Sequence, residues 1–156
     1  MAQHDNIEGF YREHASSVYA FLVSLCGDRT WAEDLMQDTF TKATLAMGGY
    51  RNGNPRAWLF AIARNVFLDD ARRRRPIPTE PLEHPAAPVS DITEVDAITR
   101  TLATLPQRQR TALVLSDHGG LTAGEVGEVL GVTPGAARVL IHRARQAFRI
   151  MYEKDN

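Results

Sequence analysis

The sequence has a single cysteine among its 156 residues, no long apolar run and almost no net charge. The lone Cys26 excludes a disulfide within the chain and a cysteine-based metal site, and because it lies in an apolar stretch we expect it to be buried. No stretch is long and apolar enough to span a membrane, and the N-terminus lacks a signal-peptide pattern, so we expect a cytoplasmic protein. The formal net charge of −1 argues against a uniformly basic protein that coats nucleic acid.

The residue patterns that carry enzymatic chemistry are also missing. The histidines, among them His14, His84, His118 and His142, show no metal-ligand spacing. There is no nucleophile and base pattern and no phosphate-cradling glycine loop. We therefore expect no catalytic residue, no metal and no cofactor, and an enzyme is the least favoured class of function.

What is present is helical periodicity, without strand-like alternation or an internal repeat, which predicts an all-α fold. The predicted helix starts are Asp5 with Glu8, Thr30 with Glu33, Asn54–Pro55, Asp91 with Glu94, and Pro106. The predicted helix ends are Gly27, Gly48–Gly49, Pro76, about Leu105, and about Asp117 before Gly119–Gly120.

Proline and acidic residues concentrate in one internal segment. Residues 76–91 hold five of the eight prolines and no basic residue, which excludes a helix or a packed strand there. The segment predicts an extended linker between two helical domains, residues 1–75 and 92–156, although a long surface loop within one domain is the alternative. Residues 99–156 are basic, with eight Lys and Arg against five Asp and Glu.

Residues 122–148 have the pattern of two short helices joined by a tight turn. Thr122 with Glu125 forms a capping box, and Gly131 stands where the turn requires a positive φ. Thr133 then caps a second helix whose first position is Pro134. This order predicts a helix-turn-helix, in which the second helix enters the DNA major groove.

The second helix divides into two faces at 100° per residue. One face is apolar and contains Ala137, Leu140, Ile141, Ala144 and Phe148. The opposite face contains Gly135, Arg138, Val139, His142, Arg143 and Gln146. The polar face favours DNA contact over an ordinary solvated face, and the apolar Val139 within it either touches a thymine methyl group or contacts a protein.

Residues 48–58 combine stacking, amide and basic side chains. Tyr50 and Trp58 supply aromatic surfaces, while Asn52 and Asn54 supply hydrogen-bonding amides. Single-stranded or flipped bases are bound by this combination. The alternative is structural, with Trp58 partly in the core and Asn54 serving only as a helix cap.

The helix predicted from Arg56 to Arg75 is apolar nearly all round in its first half, which predicts packing inside a bundle. It ends in four consecutive arginines, Arg72 to Arg75. Such a run is a solvated face, a localisation tag or a phosphate contact, and beside a helix-turn-helix we favour contact with a nucleic-acid backbone.

Three segments in this order resemble a bacterial sigma factor of the sigma-70 family, in its small extracytoplasmic-function (ECF) class. They are AEDLMQDTFTKA (32–43), WLFAIARNVFLDDARRR (58–74) and LPQRQRTALVLSDHGGLTAGEVGEVLGVTPGAARVLIHRARQAF (105–148). The resemblance implies sigma region 2 in residues 1–75, a linker at 76–91 that threads toward the RNA exit path, and sigma region 4 in residues 92–156. It implies a promoter-specificity subunit rather than an enzyme. A stand-alone helix-turn-helix regulator is the alternative, but it would leave the acidic helix and the aromatic loop without a role.

The resemblance also implies roles for individual residues. Those that would grip the β′ clamp helices of core RNA polymerase are Asp34, Leu35, Gln37 and Asp38. Those that would capture and melt the −10 element are Tyr50, Arg51, Asn52, Asn54, Trp58, Asn65, Arg72 and Arg73. Those that would contact the −35 element are Thr122, through phosphate, and Arg138, Val139, His142 and Arg143. The implied partners are core polymerase, including its β flap, promoter DNA and an anti-sigma factor, without membrane insertion.

Four positions depart from the family pattern. Val139–Leu140 stands where Ser-Arg is usual, and Ala137 stands where a larger aliphatic residue is common. Gly127 replaces the usual alanine in the first helix of the motif, at a cost of up to about 1 kcal/mol in helix propensity. Together they predict a less rigid or weakly −35-dependent reader that another protein assists.

Overall fold

The structure, a computed structural model, describes residues 2–47, 54–74 and 94–155. All regular structure in these ranges is helical, which confirms the all-α prediction. The helices are α1 (Ala2–Cys26), α2 (Arg29–Ala46), α3 (Pro55–Arg74), α4 (Glu94–Ala103), α5 (Gln107–Leu113), α6 (Ala123–Leu130) and α7 (Pro134–Asp155). Several predictions lie outside the described residues: the linker 76–91, the ends at Gly48–Gly49 and Pro76, the cap at Asp91, and the roles of Tyr50, Arg51, Asn52 and Arg75.

Helices α1, α2 and α3 pack on one another around aromatic contacts. Phe21 of α1 meets Phe60 of α3 edge to face, with ring centroids 5.3 Å apart, and Trp31 of α2 lies 5.6 Å from Phe67. The buried residues of α3 are Ala57, Leu59, Phe60, Ala63, Val66, Phe67 and Ala71. Helix α3 therefore packs inside the bundle, as its composition predicts.

The observed starts of α1 and α2 differ from the starts predicted for the first two helices. Helix α1 begins at Ala2, because no glycine or proline precedes Asp5 to stop the helix, so Asp5 with Glu8 is not the cap. Helix α2 is capped by Asp28, whose Oδ1 accepts the backbone N–H of Trp31 at 3.0 Å. Gly27 turns the chain at φ 69°, so an extended Asp28 already reaches the helix start and Thr30 lies inside the helix. The capping box of Thr30 with Glu33 is therefore wrong.

The remaining caps agree with the sequence. Oδ1 of Asn54 accepts the backbone N–H of Arg56 at 2.9 Å, which caps α3. Thr122 and Glu125 exchange both bonds of the capping box, and Gly131 adopts φ 74° after α6. Oγ1 of Thr133 accepts the backbone N–H of Ala136 at 3.1 Å, directly before α7 begins at Pro134. The helix-turn-helix is confirmed.

Gly127 contradicts the prediction of a loosened motif. A Cβ at this position would lie 2.6 Å from the carbonyl oxygen of Val132. The backbone N–H of Val132 donates to the carbonyl of Gly127 at 2.9 Å, so the turn folds back directly onto this glycine. Gly127 therefore permits close packing of the turn, and a side chain here would force the turn away from α6.

Helix α5 is followed by one π-helical turn, Val114–His118, which the sequence pattern did not predict. Gly119 and Gly120 come next, and Gly120 adopts φ 72°. A Cβ on Gly119 would lie 2.9 Å from the ring of Phe60 in α3, so glycine allows this turn to meet the first half of the chain.

The two halves of the chain share one hydrophobic core. Arg110 of α5 is only 3% exposed, and its Nε donates to the carbonyl of Ser24 at 2.9 Å. Nε2 of Gln107 donates to the carbonyl of Leu25 at 2.6 Å. Both carbonyls belong to the last turn of α1, where helix carbonyls lack intrahelical partners. We call this arrangement, with α5 capping the end of α1 and Gly119 against Phe60, the closed arrangement.

Candidate nucleic-acid interface

The outer face of α7 projects from the molecule. The residues Gly135, Arg138, Val139, His142, Arg143 and Gln146 are all exposed, whereas Ala137, Ile141 and Ala144 on the opposite face are buried. Arg138 and Arg143 form no ion pair with any described residue. Their guanidinium groups can therefore bind an external anion, or donate to a base edge, without losing an internal partner.

The departure at Val139–Leu140 affects the outer face at one position only. Val139 is 46% exposed, while Leu140 is half-buried against the core. Arg145, also on α7, is held by Asp117 of the π-helical turn, and that hydrogen bond raises the pKa of the Arg145 guanidinium. The free cations of this face are therefore Arg138 and Arg143, not every arginine of the helix.

The start of α6 lies against the start of α3. The hydroxyl of Thr122 accepts the backbone N–H of Glu125 at 3.2 Å, and the Glu125 carboxylate accepts the backbone N–H of Thr122 at 2.9 Å. This second bond, with help from the Asn54 side chain and Arg56, holds the pKa of Glu125 below its ordinary value against the effect of burial. Thr122 and Asn54, predicted to bind separate promoter elements, are thus brought close together.

Two residues predicted to bind the −10 element also have structural roles in the fold. Asn54 caps α3, and Trp58 is half-buried and meets Phe10 edge to face with centroids 6.1 Å apart. Both structural roles anticipated as alternatives are therefore present. Asn65 is exposed and lies two helical turns beyond Trp58, so the two side chains share a face of α3.

The end of α3 holds its arginines with aspartates. Arg72 pairs with Asp69 at 3.4 Å, and Arg73 pairs with Asp70 at 3.7 Å. Arg74 donates from Nε to Oδ2 of Asp70 at 3.0 Å. Burial raises the pKa of Asp70, but hydrogen bonds from Trp31 and Arg74 outweigh it, so the pKa of Asp70 is lowered. Sequence reasoning missed this role of Asp70, although the i, i+4 spacing from Asp70 to Arg74 indicates an ion pair.

The exposed face of α2 contains three of the four predicted polymerase-binding residues. Asp34, Gln37 and Asp38 are exposed and share one side of the helix. Within the described part of the chain, neither aspartate has an ion pair. For the fourth residue, Leu35, the prediction is wrong. Its side chain lies in the core and is 1% exposed, so it cannot contact a partner in the closed arrangement.

A groove of about 860 Å³, which sequence reasoning missed, lies between the two halves. Its apolar lining includes Tyr19, Val23, Ile98, Leu102, Phe148 and Tyr152. Phe148 and Tyr152 stack with centroids 5.5 Å apart, and Ile98 is 39% exposed. Arg29 and Arg149 also line the groove and have no ion pair with any described residue. The signal available in the sequence was the apolar residue Ile98 on the short helix α4.

The described ranges contain neither a membrane-spanning helix nor a cluster of metal-ligating side chains. None of the helices there combines the length and apolarity needed to cross a membrane. No group of three or more His, Cys, Asp or Glu side chains within those ranges could hold a metal ion. The single thiol, Cys26, is buried as predicted, and burial raises its pKa to about 11.

Comparisons with known proteins match both halves of the chain. The family described as Sigma-70 region 2 matches residues 10–77, and the family described as Sigma-70, region 4 matches residues 96–148. The ECF RNA polymerase sigma factor SigM of Bacillus subtilis is 30% identical over 95% of this chain and 96% of its own length. The ECF sigma factor SigE of Mycolicibacterium smegmatis is 36% identical in an alignment that covers 88% of this chain and 58% of that protein.

A solved structure has the same architecture. The sigma factor RpoE in complex with the anti-sigma factor NepR, from Bartonella quintana, aligns with a TM-score of 0.72 and 27% identity, covering 96% of this chain and 99% of that one. Since both sigma regions are matched, a stand-alone helix-turn-helix regulator is not favoured. The chain therefore belongs to the ECF class of the sigma-70 family, the sigma factors that bind core RNA polymerase and direct promoter-specific transcription initiation.

Proposed function

We propose that this chain binds core polymerase with the exposed face of α2, captures the −10 element with α3 and reads the −35 element with α7. The observation that carries the proposal is the outer face of α7, where Arg138, Val139, His142 and Arg143 are exposed together. The domains are residues 1–75 and 92–156, joined by the linker 76–91. The chain contributes recognition and strand separation, with no covalent chemistry of its own, and works in the cytoplasm where RNA polymerase acts.

The central test is runoff transcription by core polymerase with this chain over a promoter library. We expect promoter-specific transcripts that core polymerase alone does not make. Point variants of the −35 element then identify the bases read by α7. Transcription that is independent of the −35 sequence would contradict base readout by this helix.

Polymerase binding is assigned to Asp34, Gln37 and Asp38, since these polar side chains are exposed and the aspartates lack internal ion pairs. Reversing the charge with Asp38→Lys should weaken binding to core polymerase in a fluorescence titration and leave the fold intact. Glu8→Lys, at an exposed position of α1, is the matched control. Equal affinity of both variants and the parent chain would contradict the assignment.

Capture of the −10 element is assigned to Tyr50, Arg51, Asn52, Asn54, Trp58, Asn65, Arg72 and Arg73. Among them Asn65 is exposed and performs no capping role, so it is the cleanest test. Contacts to an unstacked base are worth roughly 1–3 kcal/mol. Asn65→Ala should therefore impair opening of a duplex promoter, measured by permanganate footprinting, more than it impairs binding to core polymerase. Normal opening would contradict the base pocket.

Engaging both promoter elements requires the closed arrangement to open. The elements lie about 25 base pairs apart, or roughly 85 Å along B-DNA at 3.4 Å per base pair. The Asn54 side chain, however, lies close enough to the Glu125 carboxylate to lower its pKa, and Glu125 is in the same first turn as Thr122. One face of α3 and one end of α6 must therefore separate before both can occupy DNA.

Opening can be followed by energy transfer between dyes on Glu13→Cys and Gln146→Cys, at exposed positions of α1 and α7. The native thiol does not interfere, because Cys26 is buried and burial raises its pKa to about 11. We expect lower transfer efficiency when core polymerase is added. An unchanged efficiency in an active holoenzyme would contradict opening.

The groove between the halves is proposed as the docking site of an anti-sigma factor. The related Bartonella quintana RpoE is described in complex with the anti-sigma factor NepR, and the apolar groove with Arg29 and Arg149 fits an acidic amphipathic helix. Ile98→Asp should raise transcription of a reporter in the native host but leave purified runoff transcription unchanged. Equal reporter activity of the variant and the parent chain would argue against inhibition through this groove.

A further inference from the structure

We propose that Asp70 and Trp31 divide the arginine run at the end of α3 into one held residue, Arg74, and two presented residues, Arg72 and Arg73. By holding Arg74, Asp70 limits how strongly this end of the chain binds a nucleic-acid backbone. The inference rests on the proposed function, because it takes the phosphates of promoter DNA as the external partner of the arginines.

Arg74 is fixed from two sides. Its Nε donates to Oδ2 of Asp70 at 3.0 Å, and its guanidinium carbon lies 4.3 Å from the centroid of the Trp31 ring. Nε1 of Trp31 donates to the same carboxylate oxygen at 2.6 Å. The Arg74 side chain is 54% exposed, but a cation that is both hydrogen-bonded to a carboxylate and stacked on an indole is held more strongly than one with a single ion pair.

Arg72 and Arg73 are held far less. Their side chains are 68% and 72% exposed, and each contacts one carboxylate oxygen, at 3.4 Å and 3.7 Å. Exposed pairs of this kind contribute little to stability, so a phosphate can replace the aspartate at small cost. The side chain of Asp70 is 24% exposed, and its negative charge remains beside any bound phosphate and weakens its binding.

The cluster also connects two helices with different proposed tasks. Trp31 lies in the first turn of α2, where its backbone N–H is fixed by Asp28, and it is 7% exposed. Asp70 and Arg74 lie in the last turns of α3. The contact thus sets the end of the strand-holding helix against the start of the polymerase-binding helix, and Asp70 and Trp31 are positioning residues for that end.

The test measures the affinity of the holoenzyme for a fluorescent non-promoter duplex across a range of salt concentrations. Each phosphate contact contributes about 0.9 to the slope of log affinity against log salt. Asp70→Asn keeps an acceptor for the Trp31 N–H and removes the charge, so we expect a several-fold higher affinity and a slope steeper by about one contact. Asp69→Asn is the matched control, because Asp69 holds only the exposed Arg72, and it should leave the slope unchanged.

Arg74→Gln and the double variant Arg72→Gln/Arg73→Gln complete the design. Arg74→Gln should leave the salt slope of the parent chain unchanged, whereas the double variant should lower it by about two contacts. If Arg74→Gln lowers the slope, or Asp70→Asn does not steepen it, the division into held and presented arginines is overturned. If the double variant changes nothing, this end of α3 does not bind DNA, and the proposed function of that end fails together with the inference.

Discussion

The end of α3 and the outer face of α7 both carry arginines toward solvent, but the two helices hold them differently. At the end of α3, Arg72, Arg73 and Arg74 each pair with an aspartate three or four residues earlier. On α7, Arg138 and Arg143 have no acidic residue at those spacings and no ion pair within the described ranges. The sequence around an arginine, more than the number of arginines, thus decides whether its charge is free for DNA.

The difference matches two kinds of DNA contact. Free arginines on a helix that enters the major groove can form bidentate bonds to guanine, which distinguish one base from another. Arginines that must exchange an aspartate for a phosphate contribute affinity without sequence information. We therefore expect the two helices to respond differently to mutation, to salt and to promoter sequence.

The largest expected effect tests whether the two surfaces depend on the packing between the halves. Gly119→Ala would place a Cβ 2.7 Å from the carbonyl of Leu115 and 2.9 Å from the Phe60 ring. Because neither neighbour can move freely, we expect the free energy of unfolding to fall by about 3 kcal/mol in a denaturant titration.

The matched control for Gly119→Ala is Gly9→Ala, where a Cβ would meet nothing within 4 Å. This variant should be neutral or more stable by up to about 1 kcal/mol, because alanine favours helix. Equal stability of both variants would show that the contact between Gly119 and Phe60 does not hold the halves together.

Arg138→Ala should produce the next largest effect and distinguish the two surfaces directly. An arginine bonded to guanine contributes about 1–3 kcal/mol of discrimination, so runoff activity should fall on the preferred −35 sequence and much less on its variants. Arg72→Ala should lower activity on all −35 variants alike. The comparison fails if both substitutions preserve the parent ranking of promoters, and Val139 then marks a protein contact instead.

Thr122→Ala tests the proposed phosphate contact of Thr122, a residue that also caps α6. Loss of the helix cap should lower the free energy of unfolding by about 1 kcal/mol. If Thr122 also contacts phosphate, transcription should fall uniformly across −35 variants. Thr133→Ala is the control, since its hydroxyl caps α7 in the same way at 3.1 Å. If both variants lose similar stability but Thr122→Ala loses more transcription than Thr133→Ala, the phosphate contact is supported.

Glu125 gives a pH dependence to the cap of α6 and, in smaller part, to the contact of this cap with α3. Its pKa is lowered in the folded state, first by the Thr122 N–H and then by Asn54 and Arg56, so the stabilisation is complete above the ordinary value of 4.5. It is lost as pH falls through the lowered folded value. Glu125→Gln should therefore flatten the dependence of stability on pH in this acid range, measured by thermal unfolding. An unchanged profile would contradict the contribution of Glu125.

The smallest effect is expected from Asp117→Asn, which releases Arg145 on α7. Exposed ion pairs contribute about 0–1 kcal/mol, so stability should hardly change. A small gain in affinity for non-promoter DNA, measured by anisotropy, would show that a released arginine on α7 acts like one released on α3. A gain in sequence selectivity instead would place Arg145 among the base-reading residues.

Local chemistry explains what the sequence predicted well. The helix-turn-helix depends on Thr122, Gly131 and Pro134, each of which acts on neighbouring backbone groups, and all three behave as expected. The exposed side of α7 follows from helical periodicity alone. Even the failure at Thr30 was local, because Asp28 and Thr30, two positions apart, could both cap and the conformation of Gly27 selected Asp28.

Contacts between distant residues could not be predicted in this way. Arg110 looks like any charged helix residue, yet its side chain is buried against the carbonyl of Ser24, 86 positions earlier. Leu35 was assigned to core polymerase by the family resemblance, whereas the packing of three helices buries it. Gly127 looked like a defect until the position of Val132 showed that a side chain would not fit.

The shared core has a consequence for how the chain responds to heat and to its partner. A core that is continuous between α3 and α6 makes the two halves unfold in one cooperative transition, because neither keeps its apolar contacts when the other melts. Separating the halves also removes the Ser24 carbonyl that accepts the Arg110 Nε–H bond, and it exposes Phe60 to water. In the proposed opening, core polymerase supplies that free energy from its own contacts, so its observed affinity is lower than its affinity for a chain already open.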